Sequence, residues 1–430
     1  MATKRKRAMS GSLAVFLLVA AYAASAAAAT VLYVDDTPAN NGAVSCPPSP
    51  QAFPDLQSAV LSLGSTTAKV TINVCPGIYP AATNAITLLG FAKTKVLGLG
   101  APIIDATGFS GNVITVSGST DVTVSGLVFS GGSNLGGDAT AIEYVDSTGT
   151  ITKNLVTEWH QDFYQPLTAI AYGITTVATD PAKTVKILGN TVFDVQDNGI
   201  VAVGPARAKI AGNRVVLHSD IDPKQYFAPG PKEQAGILLL GAGAGSAVVG
   251  NAIESNAGME PRPCAPPCMY GDVYSRGIFL LQTSGAKVSG NTVSYLGRGI
   301  SIESWCYNAA PSGADGNVVS KNRLYNNRVG FSSELKDFYG SGCSPHANAN
   351  VVTGNRFDRS HSGAAWGAFL AADSPATIAG DVLTGNTFTG YYKTIPLPFD
   401  TTIGATGSGV SGLVTAPNTV RAMPLLGPLR

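Results

Sequence analysis

Two glutamates at equivalent positions of successive apolar runs are the clearest candidates for chemistry in this sequence. If Ile300, Ile302 and Phe331 point into a core, strand alternation turns Glu303 and Glu334 outward. Stacked carboxylates without a neutralising partner are unfavourable, so the pair calls for a physical explanation. We predict that the two lie on adjacent coils about 4.7–4.9 Å apart, close to the roughly 5–5.5 Å used by retaining glycosidases. A structural or calcium-linked role remains the alternative to catalysis.

A row of arginines lies beside these glutamates. Arg276 and Arg298 each precede a Gly-Ile run, and Arg328 lies one residue out of that register. Guanidinium groups bind carboxylate and sulfate groups, so we predict that the three contact an acidic substrate. The alternative is a solvated surface network in which they neutralise Glu303 and Glu334.

Four insertions flank the same runs. We expect them to wall a groove, because insertions before and after one strand rise at opposite edges of its sheet. Aromatic side chains in the walls can stack on sugar faces, so we assign substrate contacts to Trp305, Tyr307 and Tyr339. The insertions are residues 218–235 and 256–275, before their strands, and 304–316 and 335–349, after theirs.

The four histidines differ in how well they suit the role of an acid or base. His346 lies in the last insertion and is the one predicted as an acid or base. His160 belongs to a segment that reads as a loop, while His218 and His361 fall at corners with no partner visible in sequence.

Six cysteines form an even set, which in an exported chain favours disulfides. They allow about 15 connectivities. Locality favours Cys46–Cys75, Cys264–Cys268 and Cys306–Cys343. A metal site at Cys264 and Cys268 is the weaker alternative, because no second matched pair or nearby histidine accompanies them.

The N-terminus has the order of a secretory signal peptide, predicted over residues 1–29. A basic cluster at 4–7 precedes an apolar run at 13–24 and a small-residue stretch at 26–29. The apolar run is short for a membrane span, although an uncleaved anchor is the alternative. We therefore expect a secreted or periplasmic protein with no membrane span after signal removal.

Composition narrows the class further. The chain has 28 basic and 27 acidic residues; without the four signal basics the balance is 24 − 27 = −3, which argues against nucleic acid as a partner. Only 13% of residues are charged and 50 are glycine, which favours an all-β fold. A hydrophobic content of 45% argues against disorder.

The elements that must position the candidate residues form a repeat. Gly-Asn pairs recur at intervals from 23 residues (Asn190 to Asn213) to 40 (Asn251 to Asn291), each between short alternating runs. Propeller blades repeat at nearly fixed length, whereas solenoids accept insertions at corners. Asparagine stacked at one corner can bond the backbone of neighbouring coils. β-hairpins turning at the Gly-Asn sites are the alternative.

The entry segment predicts a strand, a short helix and a second strand. Asp55 can cap a helix over Asp55–Leu63 whose apolar stripe includes Leu56, Ala59 and Val60. A helix across the open end of a solenoid would cover its apolar core.

The segment Tyr33–Tyr79 followed by Gly-Asn coils resembles the pectin-lyase-like superfamily of right-handed parallel β-helices, including its NosD-like branch. The resemblance implies an all-β solenoid with an N-terminal capping helix. It covers about Val31 to Tyr392. The catalytic signatures of polygalacturonases, pectate lyases, pectin methylesterases and alginate epimerases are absent, which puts the familiar pectinase activities in doubt.

We therefore predict an exported, monomeric β-helix protein that binds and cleaves an extracellular, acidic polysaccharide as a lyase or glycoside hydrolase. Ca²⁺ is the cofactor left open. The alternative is a non-catalytic surface or envelope protein. The expected organisation is a signal at 1–29, a cap and first coil at 30–95, the β-helix at 96–400 and a tail at 401–430.

Overall fold

The computed structural model describes most of the chain after the predicted signal peptide. Residues 1–28 lie outside the described part. No described helix combines the length and the apolar character needed to span a bilayer. The described residues are 29–36, 46, 52–64, 68–132, 135–160, 171–218, 234–255, 275–306, 313–337, 344–359, 366–372, 376–390, 403–406, 408–415 and 417–421.

Short strands stack into three long sheets, and each turn of the chain contributes one strand to each sheet. Sheet A contains β1 Thr30–Val34, β2 Ala52–Phe53, β3 Val70–Val74, β6 Thr94–Gly98, β9 Val122–Ser125, β12 Gly149–Thr152, β15 Thr184–Leu188, β18 Arg207–Ala211, β21 Ala247–Val249, β24 Lys287–Ser289, β27 Val318–Ser320, β30 Val351–Thr353 and β34 Val382–Thr384.

Sheet B follows sheet A in each coil. Its strands are β4 Ile78–Pro80, β7 Ile103–Asp105, β10 Val128–Ser130, β13 Leu155–Trp159, β16 Thr191–Val195, β19 Arg214–Leu217, β22 Ala252–Ser255, β25 Thr292–Ser294, β28 Arg323–Tyr325, β31 Arg356–Asp358, β35 Thr387–Thr389 and β38 Thr419–Arg421.

Sheet C completes the coil. It contains β5 Ile86–Leu89, β8 Gly111–Ser117, β11 Ala139–Val145, β14 Ala171–Val177, β17 Asn198–Val203, β20 Gln234–Leu240, β23 Ser275–Leu281, β26 Arg298–Cys306, β29 Val329–Asp337, β32 Trp366–Ala371 and β36 Ile403–Thr406. The remaining elements are α1 Leu56–Leu63, α2 Ala81–Asn84 and the pair β33 Ile378–Ala379 and β37 Val410–Ser411.

Strand pairing is parallel throughout the described sheets, which confirms the predicted parallel solenoid and excludes hairpins at the Gly-Asn sites. In-register apolar side chains stack through the interior, as sheet B shows with Val293, Leu324, Phe357 and Phe388. All four are buried in one continuous core, and the rings of Phe357 and Phe388 stack at 4.6 Å. The alternation of short β-branched and aromatic runs with corners therefore builds this core.

An asparagine ladder runs along the corner between sheets A and B. The side-chain amide of each member donates to the side-chain oxygen of the next, and a backbone N–H of the earlier coil reaches the same oxygen. The preceding glycines, such as Gly250, have positive φ, which glycine adopts without strain. The members are Asn154, Asn190, Asn213, Asn251, Asn291, Asn322, Asn355, Asn386 and Asn418.

One Gly-Asn pair belongs to a different corner. Asn317 bonds Asn350, and Asn350 bonds Asp381, in a shorter ladder that precedes the strands of sheet A. Asn322 takes the place of this coil in the main ladder. It follows Lys321, whose backbone φ is 58°. Because glycine is not obligatory before the asparagine, the Gly-Asn repeat predicts the wrong corner for this coil.

The entry helix forms as predicted. The side chain of Asp55 accepts a hydrogen bond from Ser58 N at 2.6 Å, and Leu56, Ala59 and Val60 are buried in the main core. Its role in closing the end of the solenoid stays a prediction. The disulfide Cys46–Cys75 is present, with the two Cα atoms 6.0 Å apart, and joins the entry segment to the residue after β3.

Other cysteine pairs are less fully described. Cys306 is disulfide-bonded, but its predicted partner Cys343 lies outside the described residues. Cys264 and Cys268 also lie outside the described residues.

Asp381 ends the shorter ladder and makes stability depend on pH. Its Oδ1 accepts from Asn350 N at 2.9 Å, while its buried Oδ2 has no hydrogen-bond partner among the described residues. Burial raises the pKa of Asp381 from 3.8 to about 7, with a smaller upward contribution from the charge of Asp315. The folded state therefore favours the neutral form of Asp381. The contribution of Asp381 to the free energy of unfolding is complete below pH 3.8 and is lost as pH rises through about 7.

We expect Asp381→Asn to stabilise the protein above pH 7 and to flatten the decline between pH 3.8 and about 7. Asparagine keeps the acceptor for Asn350 and carries no buried charge. Thermal unfolding of both proteins across this range measures the difference. Asp55→Asn is the control, because asparagine also caps helices well. A stability advantage that is the same at every pH would contradict the assignment.

Candidate functional site

The outer face of sheet C is buried where the predicted site lies. All nine residues of β26 are buried, so this strand has protein on both faces. Inward, Ile300 and Ile302 join the main core. Outward, Trp305 packs with Phe279 of β23 in a second apolar cluster, with the ring centroids 5.6 Å apart. The candidate residues are thus part of a second, smaller interior on the outer side of the sheet.

The glutamates and two arginines occupy matching positions on successive strands. Arg276 of β23 pairs in register with Arg298 of β26, and Glu303 of β26 pairs in register with Glu334 of β29. The two carboxylates thus lie on adjacent coils and on the side of the sheet away from the main core, the geometry that strand alternation predicted.

A continuous ion network joins these four side chains. Arg276 Nε donates to Glu303 Oε1 at 2.9 Å, and Arg298 Nη1 donates to the same oxygen at 2.7 Å. Arg298 Nη2 then reaches Glu334 Oε1 at 2.8 Å. Arg298 is therefore the link between the two carboxylates, and the arginines neutralise them. The predicted alternative is a solvated network of all three arginines, whereas this network is buried and contains Arg276 and Arg298.

Burial distinguishes the members of the network. Arg276 and Glu303 have 0% of their side-chain surface exposed, against 6% for Arg298 and 12% for Glu334. Trp305 Nε1 also donates to Glu303, at 2.8 Å, and the guanidinium of Arg276 lies 4.2 Å from the ring centre of Phe279. A carboxylate that accepts from two guanidinium groups and an indole has no proton to donate. Glu303 therefore holds the arginines in place, and Glu334 is the more accessible carboxylate.

One nitrogen of Arg298, the Nε, takes no part in the network. This Nε is buried and has no hydrogen-bond partner among the described residues. A buried donor without an acceptor costs about 1–3 kcal/mol, so a ligand acceptor that reached this N–H would recover that cost.

The remaining predicted site residues lie at several different places in the fold. Arg328 is half-buried and lies one position before Val329, the register partner of Arg298. His346 pairs with Asp315 through Nδ1 at 2.8 Å, at a corner before sheet A, and its side chain is 34% exposed. Tyr307 and Tyr339 lie outside the described residues. As placed, Trp305 is 7% exposed and fully engaged by Glu303 and Phe279, so it presents no open ring face to a sugar.

A second cluster combines residues that no sequence motif connects. The cluster members come from three successive coils of sheet B. His160 and His218 directly follow β13 and β19, and Asp194 is the residue before the last one of β16. His160 Nε2 lies 3.2 Å from Asp194 Oδ2, and His218 Nδ1 lies 2.5 Å from Asp194 Oδ1. The two imidazole rings stack with centroids 4.5 Å apart. The signal that would have joined them is the strand register, since both histidines follow their strand by one residue.

Asp194 is aimed at the histidines by a β-bulge. The register of β16 and β19 shifts between Phe193 and Val195, and Asp194 has a φ of 60°. Burial acts to raise the pKa of Asp194, but the hydrogen bonds and charges of His160 and His218 outweigh it and hold that pKa far below its ordinary value. These three residues offer two nitrogen ligands and one oxygen ligand, all within 4.8 Å of one another.

Comparisons with known proteins agree with the observed fold. A family model described as the right handed beta helix region matches residues 172–388. The native crystal structure of a GH136 lacto-N-biosidase from Eubacterium ramulus is similar, with 13% identity, 92% of this chain and 68% of that chain covered, and a TM-score of 0.54. Its selenomethionine derivative has the same identity and coverage and a TM-score of 0.56.

An alginate lyase in complex with a trisaccharide also matches, at 13% identity over 92% of this chain and 86% of that chain, with a TM-score of 0.46. No curated protein matches the chain in sequence.

Proposed function

This chain belongs to the right handed beta helix family, and from that premise we propose that it is an exported, carbohydrate-active protein that binds and cleaves an acidic polysaccharide on the outer face of sheet C. The observation that supports this most is the bridging position of Arg298, which contacts Glu303 and Glu334 and keeps one buried N–H unsatisfied among the described residues. A uronate carboxylate is an acceptor that fits such a donor.

The environments of the two glutamates favour lyase over hydrolase chemistry. Glycosidases generally need one carboxyl group that donates a proton and a second that is ionised. Glu303 suits neither role, because its side chain has no exposed surface and two guanidinium groups and an indole N–H already bond it. A lyase needs one base near the C5 proton of the uronate and a cation at its carboxylate.

In the proposed reaction Glu334 removes the C5 proton while Arg298 holds the sugar carboxylate. The electron pair of the C5–H bond forms the C4–C5 double bond and the C4–O bond breaks. The leaving oxygen takes up a proton from water, and Glu334 returns the C5 proton to the resulting hydroxide. Glu303 is then a positioning residue, since it fixes Arg298 and does not reach the substrate. The fold likeness to a lacto-N-biosidase supports a carbohydrate as the ligand, while the disulfide Cys46–Cys75 supports an oxidising compartment.

A panel of acidic and neutral polysaccharides tests the proposal, with ultraviolet absorbance of unsaturated products and reducing ends both followed. We expect unsaturated ends from an acidic polymer. Glu334→Gln is expected to lower kcat by about 10²–10⁴-fold, the typical contribution of a general base. The free energy of unfolding should fall less than in Glu303→Gln, because Glu334 is 12% exposed and bonds only Arg298 of the two guanidinium groups.

Glu254→Gln is the matched control, because Glu254 forms an exposed pair with Arg214 on sheet B. It should retain full activity. Undiminished turnover in Glu334→Gln would contradict the role of Glu334, and new reducing ends without unsaturated products would contradict the lyase.

A non-catalytic binder is the second candidate, and the burial of Arg276, Glu303 and Trp305 favours it. It predicts that an acidic polymer binds without any product forming. Glu334→Gln would then alter the affinity alone, which isothermal titration measures.

A further inference from the structure

The cluster of His160, Asp194 and His218 differs in composition from the network of arginines and glutamates on sheet C. It uses the ends of sheet B strands and the corner that follows them. From its donor set we infer that these three residues bind one divalent transition-metal ion of the zinc class.

Distances in the cluster suit a shared ion. Zinc is bound by histidine nitrogens and carboxylate oxygens at about 2.0–2.2 Å, so the ligand atoms of a tetrahedral site are roughly 3.3 Å apart. His160 Nε2 and His218 Nδ1 lie 3.2 and 2.5 Å from the two different oxygens of Asp194, and one ligand atom from each of the three residues lies within 4.8 Å of the others. A bound ion would replace these hydrogen bonds, so the side chains would move apart slightly to accept it.

The backbone holds the ligands in position before any ion binds. His160 O accepts from Leu135 N at 3.1 Å, and His218 N donates to Val195 O at 2.9 Å. Gln234, buried beside them, donates from its amide to the carbonyl oxygens of Gln196 and His218. The bulge turns the carboxylate of Asp194 toward both rings. Ligands on a hydrogen-bonded scaffold need little ordering when the metal arrives.

The type of ligand selects the type of metal. Two imidazoles and one carboxylate suit zinc and its neighbours in the first transition series, whereas Ca²⁺ and Mg²⁺ prefer oxygen ligands alone. Three protein ligands also leave a coordination position for water or substrate, as in catalytic zinc sites. The side chains are 4%, 15% and 8% exposed in chain order, so Asp194 is the most accessible of the three.

Zinc titration of the purified, untagged protein by calorimetry tests the inference. We expect one Zn²⁺ per chain, and no competition from Ca²⁺ or Mg²⁺. Co²⁺ at the same site should give visible ligand-field bands that Zn²⁺ abolishes. Asp194→Asn and His218→Gln should each weaken zinc binding by at least about 100-fold, since even changes outside the ligands cost about 10–100-fold.

His346→Gln is the matched control, because His346 forms a His–Asp pair with Asp315 at 2.8 Å but has no second histidine among its described partners. It should bind zinc like the parent protein. Circular dichroism of each variant shows whether the fold is kept. The inference is overturned if the folded parent binds no zinc, if Ca²⁺ displaces it, or if the ligand variants bind it as tightly as the parent. None of these readouts requires a polysaccharide, so the result stands apart from the proposed function.

Discussion

Replacing Glu303 by glutamine is expected to lower the free energy of unfolding by about 3–5 kcal/mol, the usual cost of removing one partner from a buried ion pair. The glutamate has no exposed surface, and its carboxylate bonds the guanidinium groups of Arg276 and Arg298. The neutral amide would leave two buried positive charges facing the single charge of Glu334. Urea denaturation measures the loss, and hydrogen exchange within β26 locates it.

The exposed pair Arg214–Glu254 provides the control for this result. Its side chains are 52% and 36% exposed, so Glu254→Gln should change stability by no more than about 0.5 kcal/mol. A loss below about 1 kcal/mol in Glu303→Gln, less than the usual cost of breaking a buried pair, would show that water reaches the network. Glu303 would then be restored as a candidate for direct chemistry.

The second large effect is expected in the asparagine ladder, where Asn251→Ala should cost about 2–4 kcal/mol, the sum over a few unsatisfied buried groups. The Asn251 side chain accepts from Asn213 N at 2.9 Å and donates to Ile210 O at 3.1 Å and to Asn291 Oδ1 at 2.9 Å. Alanine leaves two buried backbone groups of the preceding coil, the Asn213 N–H and the Ile210 carbonyl, without this partner, and each such group costs about 1–3 kcal/mol. Denaturant unfolding measures the loss.

Asn418 gives a graded comparison, because it ends the ladder and is only partly buried. Asn418→Ala should cost about 1 kcal/mol, the net value of an ordinary hydrogen bond. Equal losses at the two positions would mean that the ladder acts through general corner geometry and not through buried hydrogen bonds.

Much of the fold could be predicted from local pattern. Alternation of apolar and polar residues sets which side chains face the core, so the outward register of Glu303 with Glu334 follows from the amino-acid pattern alone. Asparagine repeats mark the corner, and locality pairs Cys46 with Cys75. The repeat misleads at Asn317, where the prediction relied on glycine, because Lys321 adopts the same positive φ before Asn322.

What surrounds those residues could not be predicted in the same way. Alternation indicates which face of a strand a side chain occupies but not whether that face is covered, and so the burial of Arg276, Glu303 and Trp305 emerges only from the folded coils. The histidine cluster depends on the register of three coils and on a bulge at Asp194, which is separated from its two histidines by 34 and 24 residues in sequence.

The difference between the features that could be predicted and those that could not has a physical reason. The solenoid and the facing of its side chains follow from local periodicity, which a short stretch of chain carries within itself. Burial and the meeting of distant residues, as in the pairing of Asp194 with His160 and His218, depend on which coils become neighbours. A short stretch of chain does not encode which side chains of the next coil will lie beside it.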